Sequence, residues 1–95
     1  MPDAHEQIRW TVLFAGRVQG VGFRYMTERI AHGFPVTGYV RNLPDGRVEC
    51  VVEGDAEQID GFLAALAERM SGYIRNQTRQ DAPYSGGFAS FGVRY

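Results

Sequence analysis

The chain has 95 residues, 44% of them hydrophobic and 13% aromatic, which suits one packed domain over residues 1–95. A formal net charge of −1, with ten arginines scattered along the chain and no lysine, argues against nucleic acid or an acidic membrane surface as a partner. No apolar run approaches the roughly 20 residues of a membrane span, and residues 1–7 read as a polar tail without the marks of a signal peptide; the lone Cys50 rules out an internal disulfide, so a cytoplasmic monomer is expected.

Residues 8–14 alternate, with Trp10, Val12 and Phe14 on one face, and predict a first strand. A glycine-rich loop follows, and from Phe23 the spacing of Met26, Ile30 and Ala31 predicts a first helix of about ten residues, stopped near Gly33 and Pro35. His32 falls in its last turn, where a cation suits the helix dipole. A second strand is expected over 36–42, and the turn residues Pro44, Asp45 and Gly46 join it to a third over 47–53. In that third strand Val48, Cys50 and Val52 face the core, while Arg47, Glu49, Val51 and Glu53 face outward.

Asp55 has the character of an N-cap, with Gln58 three residues on. The stripe Ile59, Phe62, Leu63, Leu66 and Met70 predicts a second helix ended by Gly72. Residues 73–79 are a polar candidate for a fourth strand, 80–89 read as an irregular loop, and Phe91, Val93 and Tyr95 close the chain as a final strand. The order β-α-β-β-α-β, with an extra strand, predicts an α+β fold. It is the ferredoxin-like two-layer sandwich, an antiparallel sheet covered on one face by two helices.

The residue inventory narrows the chemistry. Without lysine there is no Schiff base, and the serines at 71, 85 and 90 have no nearby histidine for a triad. Neither His5 nor His32 belongs to a cluster with metal-ligand spacing, so the residues themselves offer no metal site. The loop Gly16-Arg17-Val18-Gln19-Gly20-Val21-Gly22 is different. It joins a strand to a helix and carries three glycines within seven residues. Such a loop can aim several backbone N–H groups at one point, beside the positive end of a helix dipole, which favours a phosphate-sized anion. Arg24 follows with a planar donor fork that stays charged at any working pH. The loop lacks the Lys-Ser/Thr of a Walker A motif, and its glycines are not spaced as a dinucleotide fingerprint.

Two blocks carry a resemblance. Gly16-Arg17-Val18-Gln19-Gly20-Val21-Gly22-Phe23-Arg24, followed by Gly38-Tyr39-Val40-Arg41-Asn42-Leu43-Pro44-Asp45-Gly46-Arg47-Val48-Glu49, resembles the acylphosphatase family from about residue 8 to Tyr95. That family hydrolyses the mixed anhydride of a carboxylic acid and phosphate. The resemblance implies the same fold, a small acyl phosphate as substrate, inorganic phosphate as product, and no metal or organic cofactor. By position, Arg24 would be the catalytic arginine that binds phosphoryl oxygens, Asn42 the residue that orients the attacking water, and Gly16 to Gly22 the phosphate-cradling loop. Where the family commonly carries Gly-Pro after the second helix, this chain has Ser71-Gly72-Tyr73.

Two other classes share these features. One is a non-catalytic module that binds phosphate or an acyl phosphate. The other is an RNA-recognition module, which needs aromatics on the open face of its middle strands. The outward positions of the third strand hold none and carry two acids.

Overall fold

A computed structural model describes residues 6–95. The elements are β1 (Gln7–Gly16), α1 (Phe23–Ala31), β2 (Thr37–Asn42), β3 (Val48–Asp55), α2 (Ala56–Arg69), β4 (Ile74–Ala82) and β5 (Phe91–Arg94). The strands form one sheet in the order β4-β1-β3-β2-β5. This is the expected ferredoxin-like α+β arrangement, with one departure: β5 runs parallel to β2, so the sheet is mixed rather than wholly antiparallel. Most of the tail expected at 1–7 lies outside the described residues, as does His5, but Gln7 already pairs with Asp55 in the sheet.

β3 is central, and its registers show why alternation was a reliable guide. Val12 and Val40 both stand opposite Cys50, and Phe14 and Asn42 both stand opposite Val48. The apolar side chains of three strands therefore meet on one face. Against it lie the α2 stripe of Ile59, Phe62, Leu63 and Leu66 and, just past the helix, Met70, all buried. Cys50 is wholly buried, and loss of solvation pushes its thiol pKa far up, as suits a core residue. Asp55 caps α2 by accepting a hydrogen bond from the Gln58 N–H at 2.8 Å. The helix ends at Arg69, ahead of Gly72, with Met70 as its C-cap.

In α1 the buried stripe is Phe23, Thr27 and Ala31, while Met26 and Ile30 are only partly covered. Burial of Thr27 is tolerated because its hydroxyl donates to the Phe23 carbonyl at 2.7 Å. His32 is the C-cap residue, and its Nε2 donates to the Phe91 carbonyl at 3.1 Å, tying the end of α1 to β5.

β4 runs to Ala82, so Gln80, Asp81 and Ala82 belong to a strand and not to the expected loop. As an edge strand it is held by its ladder to β1, with little side-chain burial. Arg79 adds to this, stacking 4.2 Å from the Trp10 ring centre and pairing with Asp60 of α2 at 2.9 Å.

Glu53 corrects a second expectation. Alternation places it at an outward position of β3, yet it is 2% exposed because a later segment covers it. Residues 83–88 cross the sheet face away from the helices, and Glu53 is their anchor. Its carboxylate accepts from the Ser85 N–H (2.8 Å), the Ser85 hydroxyl (3.1 Å), the Gly86 N–H (3.0 Å) and Arg9 Nε (2.7 Å). Burial on its own would raise the Glu53 pKa, but the hydrogen bonds from Ser85, Arg9 and Gly86 together outweigh it and hold the pKa below its ordinary value.

A depressed folded-state pKa contributes stability above the unfolded value of about 4.3, and that stability is lost as pH falls through the folded value. Glu53→Gln should lower stability at neutral pH by about 1–3 kcal/mol and flatten the acid limb. Thermal midpoints measured between about pH 3 and pH 7 test this, and limited proteolysis should cut the variant faster at 83–88.

Candidate active site

The loop after β1 is fixed before it is open. A register shift between Ala15 and Gly16 precedes the last pair of the ladder to β4, Gly16 with Ile74, and the Arg17 N–H donates to the Tyr73 carbonyl at 2.8 Å. Gly16 is needed for that approach: a Cβ there would stand 2.4 Å from the Tyr73 oxygen and 2.7 Å from the Arg75 nitrogen. Val18, 1% exposed, anchors the loop in the core, and Val21 packs against it. The Gln19 amide donates to the carbonyls of Leu43 (2.8 Å) and Arg47 (2.9 Å), tying the loop to the β2–β3 hairpin. That hairpin is itself braced, since the Leu43 N–H donates to the same Arg47 carbonyl at 2.8 Å. At its tip a side-chain hydrogen bond from Arg47 holds the Asp45 carboxyl below its ordinary pKa.

Gly20 and Gly22 stand in the left-handed region, with φ of 74° and 76°. Gly22 is the N-cap of α1, with no side-chain cap and no acidic residue in the first turn. The first N–H groups of this helix are thus left for an external acceptor. Phe23 holds the helix start in place, its ring 5.2 Å from that of Phe14.

Beside this turn is a cavity of about 350 Å³. Of the residues singled out in the sequence, Val18, Gly20, Gly22, Arg24 and Asn42 line it. Gly16, Arg17, Gln19 and Val21 do not. Gly16 and Gln19 fasten the loop, Val21 packs inward, and Arg17 is exposed.

Arg24 and Asn42 reach the cavity from different elements, one from the start of α1 and the other from the end of β2. Arg24 is half-buried and pairs with no carboxylate among the described residues. Its guanidinium carbon lies 4.8 Å from the Tyr95 ring centre, and Nη1 donates to the Arg94 carbonyl at 3.5 Å. Asn42 Oδ1 is buried without a hydrogen-bond partner among the described residues. A buried amide oxygen left unpaired is destabilising by about 1–3 kcal/mol, so its presence on a cavity wall points to an acceptor kept for a bound molecule.

Other lining residues were not singled out from the sequence: Phe23, Tyr25, Glu28, Val93 and Tyr95. Glu28 could have been found, because it stands four positions after Arg24 on the same helical face. Val93 and Tyr95 could not, because their place depends on β5 adding to the sheet beside β2, where Val93 pairs with Val40.

Fold and cavity together define a small ferredoxin-like α+β protein whose cleft, lined by glycines, one arginine and one unpaired amide, suits a phosphate-sized anion. A family model described as acylphosphatase matches residues 10–93. The chain belongs to the acylphosphatase family. A protein of Syntrophotalea carbinolica named acylphosphatase is 44% identical over 89 residues, covering 93% of this chain and 97% of that one. A second, from Methylococcus capsulatus, is 62% identical over 53 residues, and the match spans 56% of this chain and 58% of the relative. The crystal structure of acylphosphatase from Bacillus subtilis aligns with a TM-score of 0.82 at 28% identity, covering 93% of this chain and 99% of that chain.

The glycines of the loop should differ in their tolerance. At Gly22 a Cβ would meet nothing within 4 Å, so Gly22→Ala should cost about 1–2 kcal/mol of backbone strain. Gly16→Ala must also separate backbone atoms of the β1–β4 connection, and should cost at least twice as much. Urea unfolding of the two variants compares them directly.

Proposed function

We propose that the protein hydrolyses the carboxyl–phosphate bond of small acyl phosphates, giving a carboxylate and inorganic phosphate. The observation that carries this reading is the buried, unpartnered Oδ1 of Asn42, in the same cavity as Arg24 and the left-handed glycines. Loop N–H groups and Arg24 hold the phosphoryl oxygens and meet their charge. The Asn42 amide accepts a hydrogen bond from water and holds it for attack on phosphorus, and as a neutral group it acts by placement rather than as a strong base.

Phosphoryl transfer asks a protein mainly for positioning and charge stabilisation. The water oxygen forms a new bond to phosphorus, the bond from phosphorus to the acyl oxygen breaks, and the carboxylate leaves with that electron pair. The water proton passes to a phosphoryl oxygen, so the reaction needs no protein general base. A carboxylate leaves readily and needs no general acid. Arg24 and the amides supply the charge stabilisation in this scheme, and no metal or cofactor takes part.

Hydrolysis of benzoyl phosphate in chelator-treated buffer is the test. Arg24→Ala should lower turnover at least ~10²-fold and weaken inhibition by inorganic phosphate. Asn42→Ala should lower turnover by a factor on the order of 10² while phosphate inhibition persists, because the phosphoryl cradle is intact. Phosphate binding by the parent without turnover would identify a binding module and overturn the enzymatic reading.

A further inference from the structure

The cavity holds a carboxylate that the proposed chemistry does not use. Glu28 lines it and is half-buried, and its carboxylate makes no hydrogen bond or ion pair among the described residues. Its Oε2 lies 3.9 Å from where a Cβ on Gly92 would stand, which puts the carboxylate against β5. Arg24 is four positions earlier on the same helix, yet no ion pair joins the two, although this spacing commonly supports one. Arg24 turns instead towards Tyr95 and the Arg94 carbonyl. Among the described residues the cleft thus holds one unneutralised cation and one unneutralised anion, about one turn of helix apart, roughly 6 Å along the axis.

A carboxylate repels a phosphoryl group, so Glu28 is suited to a different part of the substrate. With the phosphoryl group at Gly20, Gly22, Arg24 and Asn42, the acyl group is left with Tyr25, Val93, Tyr95 and Glu28. The aromatic and aliphatic side chains accept an acyl body of any charge. Glu28 does not, because a second negative charge beside it is repelled and a positive one is attracted.

We infer that Glu28 selects substrates by acyl charge, favouring acyl phosphates with a cationic or N–H-donating group on the acyl side and rejecting those with a second anionic group. This deepens the acylphosphatase reading and rests on it. Glu28 acts here on specificity, through binding, and takes no part in proton transfer.

Three substrates of similar size test it: para-aminomethyl benzoyl phosphate, benzoyl phosphate and para-carboxy benzoyl phosphate. The parent should rank them in that order, with kcat/KM falling about three- to fivefold at each step, the scale of a partly exposed charge pair. The differences should lie mainly in KM, as expected when ground state and transition state feel the charge alike. Near-molar salt, which shortens screening to about 3 Å, should compress the ranking in the parent itself. Glu28→Gln should bring the three values together, and Glu28→Arg should reverse their order.

Equal rates for the three in the parent would overturn the inference while leaving the acylphosphatase reading in place. So would a Glu28→Gln variant that lowers all three by one factor with the order kept, since that would mark a role in chemistry or folding. Failure of the parent to turn over any of them would overturn the acylphosphatase reading, and this inference with it.

Discussion

The site depends on a conflict in the loop between β1 and α1. Its backbone N–H groups must stay unpaired to be of use, yet a loop that bonds to nothing does not hold a shape. The fastenings come from elsewhere in the loop. Arg17 is tied by its backbone to Tyr73, Gln19 by its side chain to the hairpin, and Val18 by burial. Each element that carries a candidate site residue is joined to the loop by one of these links or by the core. The Gln19 amide is the most economical of them, because its two hydrogen bonds set the loop beside Leu43, the residue after Asn42. Residues read as part of the phosphate cradle thus divide into those that face the cavity and those that keep it in shape.

The two faces of the sheet are covered by different physics. Under the helices the contacts are apolar and close. On the opposite face no helix covers the sheet among the described residues, and residues 83–88 are held down by one buried carboxylate and by stacked rings and guanidinium groups. Arg9 lies 5.1 Å from the Phe88 ring centre, Phe88 is 5.9 Å from Tyr39, and Arg94 stands 3.8 Å from Tyr39 on its way to the cleft. Cation–π contacts of this kind contribute about 0.5–1 kcal/mol each at exposed positions. This covering is weaker per residue than the helical one, and it reaches the β5 end of the site.

Much of this was legible in the sequence, and the exceptions have a common cause. Two-residue and four-residue periodicities placed β1, the hairpin and α2, because each buries one apolar face, and the motif blocks marked Arg24 and Asn42. Glu28 apart, what was missed leaves little trace in its own stretch of sequence. Thr27 looks polar but satisfies itself within its own helix. Glu53 sits at an outward position of β3 and is buried only because a segment some thirty residues later folds over it. The extension of β4 to Ala82 owes more to its neighbour β1 than to its own side chains. The places of Val93 and Tyr95 on the cavity follow from sheet order, and alternation in β5 says nothing about which strand it joins or in which direction.

The position of β5 bears on how the protein comes into being. Arg24 and Arg94 are separated by 70 positions, so the two walls of the cleft are made well apart in synthesis. The glycine loop, Arg24 and Asn42 all leave the ribosome before the wall formed by Val93 and Tyr95 exists. Contacts at such separation close late and slowly, since the intervening chain must be ordered first. A nascent chain ending before residue 91 carries every candidate catalytic side chain and still has a cleft open on one side. Completion of the cleft is therefore coupled to completion of the sheet.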